Sequence, residues 1–253
     1  MLHLTRHGTA TARPPLLVAH GLFGSGRNWS TIARALSRGR EVIAVDMRNH
    51  GASDWTATHD YPGMAADLAG VIEGTMGGRA AVMGHSMGGK AAMVLALTRP
   101  ELVARLIVAD IAPVTYPDHS QAPQFAAMRA VDPAVVQGRA EAARLMTGIG
   151  PEVAAFLLQN LDLVQHRWRL NLDLLEQEMP KLLDFPRIEA QYPGPALFLA
   201  GAKSDYIRPA HHPAIHALFP QARIVPVAQA GHWLHAEQPE AVLTAVRAFL
   251  DEG

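Results

Sequence analysis

Ala80-Ala81-Val82-Met83-Gly84-His85-Ser86-Met87-Gly88-Gly89, continued by Lys90-Ala91-Ala92-Met93-Val94-Leu95-Ala96-Leu97, decides how the rest of the chain is read. An apolar run of strand length leads into a Gly-x-Ser-x-Gly turn, and residues that favour a helix follow. A serine on such a turn is pushed towards φ > 0 at the foot of the helix. Neighbouring chains must then approach closely, and Gly84 and Gly88 supply the room because they lack a Cβ. The first N–H groups of the helix, and the positive end of its dipole, face the place where an oxyanion would form. By itself the pentapeptide is an ordinary glycine-rich turn. Strand before and helix after raise it to a nucleophile elbow, which requires a histidine and an acid further along, each just past a strand.

Working outward, Pro15-Leu16-Leu17-Val18-Ala19 is a continuous apolar run of the kind that forms a central parallel strand. It ends in His20-Gly21-Leu22-Phe23-Gly24-Ser25-Gly26, before an amphipathic helix over 28–37. This loop lacks both Gly-x-Gly-x-x-Gly and a Walker lysine, so a nucleotide site is a poor reading; its other use is to offer a backbone N–H to an oxyanion. Residues 2–6 read as an edge strand. Arg6-His7-Gly8 resembles the opening of histidine phosphatases, but it runs into polar Thr9-Ala10-Thr11-Ala12-Arg13 and reads better as a hairpin turn at Gly8. Glu41-Val42-Ile43-Ala44-Val45-Asp46 and Leu106-Ile107-Val108-Ala109-Asp110 are further buried strands. The polar stretch 47–53 is a tight turn pinned by Asp46 and Arg48, and 62–74 is a helix.

From 112 to 186 the alternation stops. No strand-like run occurs, and 124–131, 133–146, 151–161 and 168–179 read as helices, with prolines near their starts. So long an insertion is expected to be a functional lid, with Met128 and Trp168 among the side chains that would face an acyl group. The sheet resumes at Pro195-Ala196-Leu197-Phe198-Leu199-Ala200-Gly201. A helix over 213–219, the strand Arg223-Ile224-Val225-Pro226-Val227, the turn Ala230-Gly231-His232-Trp233 and a helix over 239–250 follow. The expected fold is α/β, a mostly parallel sheet with helices on both faces and a helical lid inserted after the sixth strand. The core is 1–111 with 187–253, and the lid is 112–186.

With 253 residues and a net charge of −1, the chain can bury a large core, and nothing points to nucleic acid or an anionic surface as partner. There is no cysteine, which removes disulfides and thiolate chemistry. No signal peptide or membrane-spanning run is visible, so the expected location is cytoplasmic. Among thirteen histidines, His212 and His216 have the i, i+4 spacing of helical metal ligands but no third partner, and no metal is expected. His232 lies just past the last strand with one helix to come. An imidazole there can take a proton from the Ser86 hydroxyl and return it to a leaving group.

Taken together, His20-Gly21-Leu22-Phe23-Gly24-Ser25, Asp46-Met47-Arg48-Asn49-His50-Gly51, the elbow with Lys90, Asp110-Ile111-Ala112-Pro113, Trp168-Arg169-Leu170-Asn171-Leu172 and Gly231-His232-Trp233 resemble the α/β-hydrolase superfamily, and within it the YbfF-type esterases. The resemblance implies a cofactor-free carboxylic-ester hydrolase, with acyl thioesters as further substrates. Ser86 would be the nucleophile and His232 the base, and the N–H groups of Leu22 and Met87 would form the oxyanion hole. In the loop Gly201-Ala202-Lys203-Ser204-Asp205-Tyr206-Ile207, the superfamily's acid position falls on Ser204. The YbfF-type pattern instead makes Asp110 the acid with Ser204 supporting it, and Asp205 is the alternative. Phe23, Met128, Trp168 and Trp233 are the expected substrate-binding side chains, and the partner is a small-molecule acyl ester. The competing readings are a cofactor-free perhydrolase or haloperoxidase-type hydrolase and a non-catalytic ligand receptor on the same fold.

Overall fold

The continuous apolar runs become the centre of the sheet. The structure is a computed structural model and describes residues 1–117 and 121–252. Strands β1 (His3–His7), β2 (Leu16–Ala19), β3 (Val42–Asp46), β4 (Ala80–His85) and β5 (Val103–Ala109) come first, with helices α1 (Ser30–Leu36), α2 (Tyr61–Thr75) and α3 (Met87–Thr98) between them. The next segment carries α4 (Ala122–Arg129), α5 (Arg139–Leu145) and α6 (Pro151–Leu157). A ribbon of β6 (Leu161–Asp162) with β7 (Arg167–Trp168), then α7 (Leu172–Gln177) and α8 (Met179–Leu183), complete it. Finally come β8 (Ala196–Gly201), α9 (His212–Leu218), β9 (Ala222–Val227), α10 (Leu234–Glu237) and α11 (Pro239–Asp251).

Seven strands form one sheet in the order β1-β3-β2-β4-β5-β8-β9, parallel except for β1, which runs antiparallel to β3. Every residue of β2, β3 and β4 is buried, as parallel strands covered on both faces must be. One face packs on α2 and α3 through residues such as Leu68, Met93 and Phe198, and the other on α1 and α11 through Trp29, Val246 and Phe249. Strand order reverses beside β2 and β4, so the loops leaving their carboxyl ends frame a crevice at the sheet edge. Among the described residues no helix is long and apolar enough to cross a membrane.

Three expectations change. Five strands precede the inserted segment, so it follows the fifth strand of the chain and not the sixth. Trp168 sits in the β6–β7 ribbon and not in a helix; two-residue strands are too short to show an alternation. The turn at Gly8 has φ of 73°, but β1 pairs with β3, so no hairpin forms, and Arg6 is engaged by Glu41 at 2.6 Å.

Candidate active site

Parallel register places the first two site residues side by side. His85 at the end of β4 pairs with Ala109 of β5, so Ser86 and Asp110 leave the sheet at the same level of neighbouring strands. Both carry φ values that non-glycine residues rarely adopt, 51° and 52°. The elbow is tight enough to require its glycines. A Cβ on Gly84 would lie 2.1 Å from the Gly88 carbonyl oxygen, and one on Gly88 would lie 2.5 Å from the His20 carbonyl oxygen.

His232 follows β9 and closes the constellation. Its Nε2 lies 3.0 Å from Ser86 Oγ and its Nδ1 2.8 Å from Asp110 Oδ2. The Asp110 carboxylate is fully buried and the His232 imidazole is 25% exposed, so the carboxylate is sealed while the imidazole faces the cavity. Gly201 N–H donates to Asp110 Oδ1 at 2.8 Å, and the Ser204 hydroxyl donates to Oδ2. The imidazole is clamped between two rings: Tyr206 stacks on it at 3.9 Å, and His85 lies 4.7 Å from it on centroids. His85 Nε2 also donates to the His232 carbonyl at 2.8 Å. A serine hydroxyl within hydrogen-bond reach of an imidazole, itself held by a buried carboxylate, is a geometry that can support acyl transfer.

These groups open into a cavity of about 330 Å³ with mostly apolar walls, including Leu22, Met87, Ile111, Phe156, Met179 and Trp233. Met87 opens α3, so its N–H has no carbonyl one helical turn back. Leu22 lies in the loop after β2, which approaches so closely that a Cβ on Gly21 would be 3.2 Å from Ser86 Cβ. Among the described residues no group of three His, Asp or Glu could hold a metal ion.

Residues 14–239 match the family described as alpha/beta hydrolase fold. The chain belongs to that family. Similar sequences include the sn-1-specific diacylglycerol lipase ABHD11 of Mus musculus, 44% identical over 96% of this chain and 82% of that protein. Esterase YbfF of Escherichia coli is 40% identical over 94% of this chain and 93% of that one. Among solved structures, a marine microorganism esterase superposes with a TM-score of 0.93 at 35% identity, covering 98% of each chain.

Within this α/β hydrolase the residues singled out by sequence fall into two groups. Ser86, His232, Leu22, Met87, Phe23 and Trp233 line one cavity, and Asp110 and Ser204 stand behind His232. Met128 and Trp168 do not line it: both are buried in the inserted segment's own apolar cluster, with Phe125, Leu157 and Leu175. Asp205 is exposed, and the Nδ1 it would have to engage is held by Asp110. Sequence reading missed Tyr206, the brace from His85, and Lys90. The Lys90 side chain is buried in the wall of the cavity and its ammonium donates to the carbonyls of Leu183 and Asp184 at 3.1 and 2.6 Å. Burial pulls its pKa down to about 7, against the opposing pull of the Asp184 carboxylate. One signal was available: Lys90 is the lone charge in a helix buried from Met87 to Leu97.

Five further imidazoles, on His20, His50, His59, His85 and His235, are kept neutral. Burial pushes each below the usual value, His59 to about 3 and His235 to about 4. Unfolded histidines take up a proton near pH ~6.5. Between that pH and each lowered value, the unfolded chain binds protons that the folded chain does not. Their stabilisation is therefore fully present above pH ~6.5 and is lost as pH falls, by up to about 1.4 kcal/mol per pH unit for each group. From His59 and His235 alone, we expect the unfolding free energy from urea titrations to drop by on the order of 2 kcal/mol between about pH 7 and about pH 5.5. His235→Phe should flatten that slope by about one proton, and a flat profile in the parent protein would show the imidazoles to be charged.

Proposed function

We propose that this α/β hydrolase is a serine carboxylic-ester hydrolase acting on small to medium acyl esters through an acyl-enzyme. The observation that carries the reading is the run of contacts from Ser86 Oγ through His232 to the buried Asp110 carboxylate. The names of its relatives, esterase and diacylglycerol lipase, point to the same bond type.

Ser86 attacks the ester carbonyl while His232 Nε2 takes the hydroxyl proton, and Asp110 keeps the proton of Nδ1 in place and stabilises the imidazolium. The N–H groups of Leu22 and Met87 donate to the tetrahedral oxyanion. Collapse expels the alcohol, which receives its proton from His232, and water then attacks the acyl-serine by the same route in reverse. A thioester carbonyl can be opened by the same steps. The apolar walls and the volume of about 330 Å³ suit an acyl group of modest length, with Phe23 and Trp233 as contacts. In this reading the helical segment 112–186 is the lid over a core made of 1–111 and 187–253. Its α6 reaches the site through Phe156, whose ring lies 5.3 Å from Trp233.

A fluorophosphonate probe tests this directly, because it phosphonylates only an activated serine. The parent protein should label within minutes at a single site, recovered by peptide mapping at Ser86. The same preparation should hydrolyse p-nitrophenyl esters, fastest for short acyl groups. An unlabelled protein that binds esters without cleaving them would make it a receptor.

A further inference from the structure

Leu22 sits between two peptide planes, and each is held by a buried histidine from outside the reacting groups. The Gly21 carbonyl accepts from His20 Nδ1 at 2.7 Å and from Gly24 N–H at 3.0 Å. The tautomer follows from a second bond: Met47 N–H donates to His20 Nε2 at 2.9 Å, so Nε2 is bare and the proton is on Nδ1. His50 repeats the device. Its Nδ1 donates to the Arg48 carbonyl at 2.9 Å, and its Nε2 accepts Phe23 N–H at 3.3 Å. The two rings meet edge-on at 5.1 Å and are fully buried.

In a trans peptide the C=O and the following N–H point in opposite directions within one plane. Holding the Gly21 oxygen therefore aims the Leu22 N–H. Holding the Phe23 N–H fixes the next plane, and with it the rotation about Leu22. Phe23 itself has φ of 61°, a strained value that would relax if its anchors were removed. Both imidazoles are pulled below the usual value by burial, which keeps the bare Nε2 atoms able to accept. The polar stretch that reads as a plain turn in the sequence therefore supplies both Met47 N–H and His50 to the oxyanion loop.

We propose that His20 and His50 are a pair of positioning residues that orient the Leu22 N–H towards the oxyanion. This rests on the esterase reading above. Neither residue is assigned contact with substrate.

The test separates orientation from folding. In His20→Leu the donor to Gly21 is lost, whereas His20→Asn places an amide N–H where Nδ1 stood. Likewise His50→Leu removes the acceptor for Phe23, and His50→Gln restores an oxygen near Nε2. Each variant is measured for kcat and KM on a p-nitrophenyl ester and for affinity towards an alkyl trifluoromethyl ketone, which forms a tetrahedral oxyanion on the serine. We expect His20→Leu to lose about 30- to 300-fold in kcat with little change in KM, since removing a whole oxyanion donor costs about 10²- to 10³-fold. Ketone affinity should fall in step, and His20→Asn should recover at least tenfold of both. Undiminished ketone affinity in a folded His20→Leu protein whose kcat has dropped would overturn the proposal. If His20→Leu does not fold, the His50 pair decides: His50→Gln must bind the ketone at least tenfold tighter than His50→Leu, and equal affinities overturn it. Failure of the esterase reading itself looks different, because the parent protein would then not label with fluorophosphonate.

Discussion

Replacing Ser86 with alanine is expected to lower kcat by about 10⁵- to 10⁶-fold, the loss seen when a serine nucleophile is deleted from an intact triad. The substitution removes one hydroxyl from the end of a strand and leaves its surroundings unchanged. Gly84 and Gly88 still admit the tight turn, and alanine tolerates φ of 51° as poorly as serine does. One hydrogen bond of 3.0 Å to His232 is lost, so stability should change by only about 1 kcal/mol. Turnover of p-nitrophenyl butyrate and the urea midpoint, measured together, check both halves. Near-normal turnover in a folded Ser86→Ala protein would remove Ser86 as the nucleophile.

The second large effect concerns the acid. Asp110→Asn should lower kcat by about 10⁴-fold, whereas Asp205→Asn should stay within about twofold. An asparagine has one acceptor oxygen and one amide group, but position 110 faces donors on both sides. Gly201 N–H approaches one carboxylate oxygen at 2.8 Å; the Ser204 hydroxyl and His232 Nδ1 converge on the other. Whichever way the amide is placed, one N–H donor meets another, and either the imidazole adopts the wrong tautomer or Gly201 is left unsatisfied. The latter adds a stability loss of about 1–3 kcal/mol. Asp205 is exposed, so its charge is screened by water. Parallel kinetics on the two variants decide the assignment, and a ranking opposite to this one would move the acid to Asp205.

The elbow was legible because its geometry leaves almost no chemical freedom. A Cβ at position 84 or 88 would overlap a backbone oxygen, so a strand, two glycines and a helix announce the turn on their own. The strands of the sheet were legible for a related reason: burial on both faces demands unbroken apolar runs such as Leu16-Leu17-Val18-Ala19. The inserted segment was harder to read. Its expected helices 124–131 and 151–161 overlap α4 and α6, but the one expected from 133 starts at Arg139, and the one expected from 168 opens as β7 and breaks into α7 and α8. Which way a buried side chain points there depends on how short helices lean on one another. Met128 and Trp168 look like pocket residues by composition, yet they fill the segment's interior. Buried charged and polar residues at the loops and element ends around the site were underread in the opposite direction. His20, His50, His85 and Lys90 resemble ordinary turn or helix residues until their partners, distant in sequence, are known.

Three contacts tie the inserted segment to the loops at the sheet edge. Asn160, just after α6, donates its side-chain amide to the Phe23 carbonyl at 2.7 Å, and the chain around β7 bonds Asn49 and Gly51. The segment is thus bolted to the back of the loop that carries Leu22. Excising it is expected to free the Phe23 carbonyl and relax the strained Phe23 backbone beside Leu22. Natural or engineered trimming of this region has to respect Asn160 as a keystone, however freely the outer helices are remodelled.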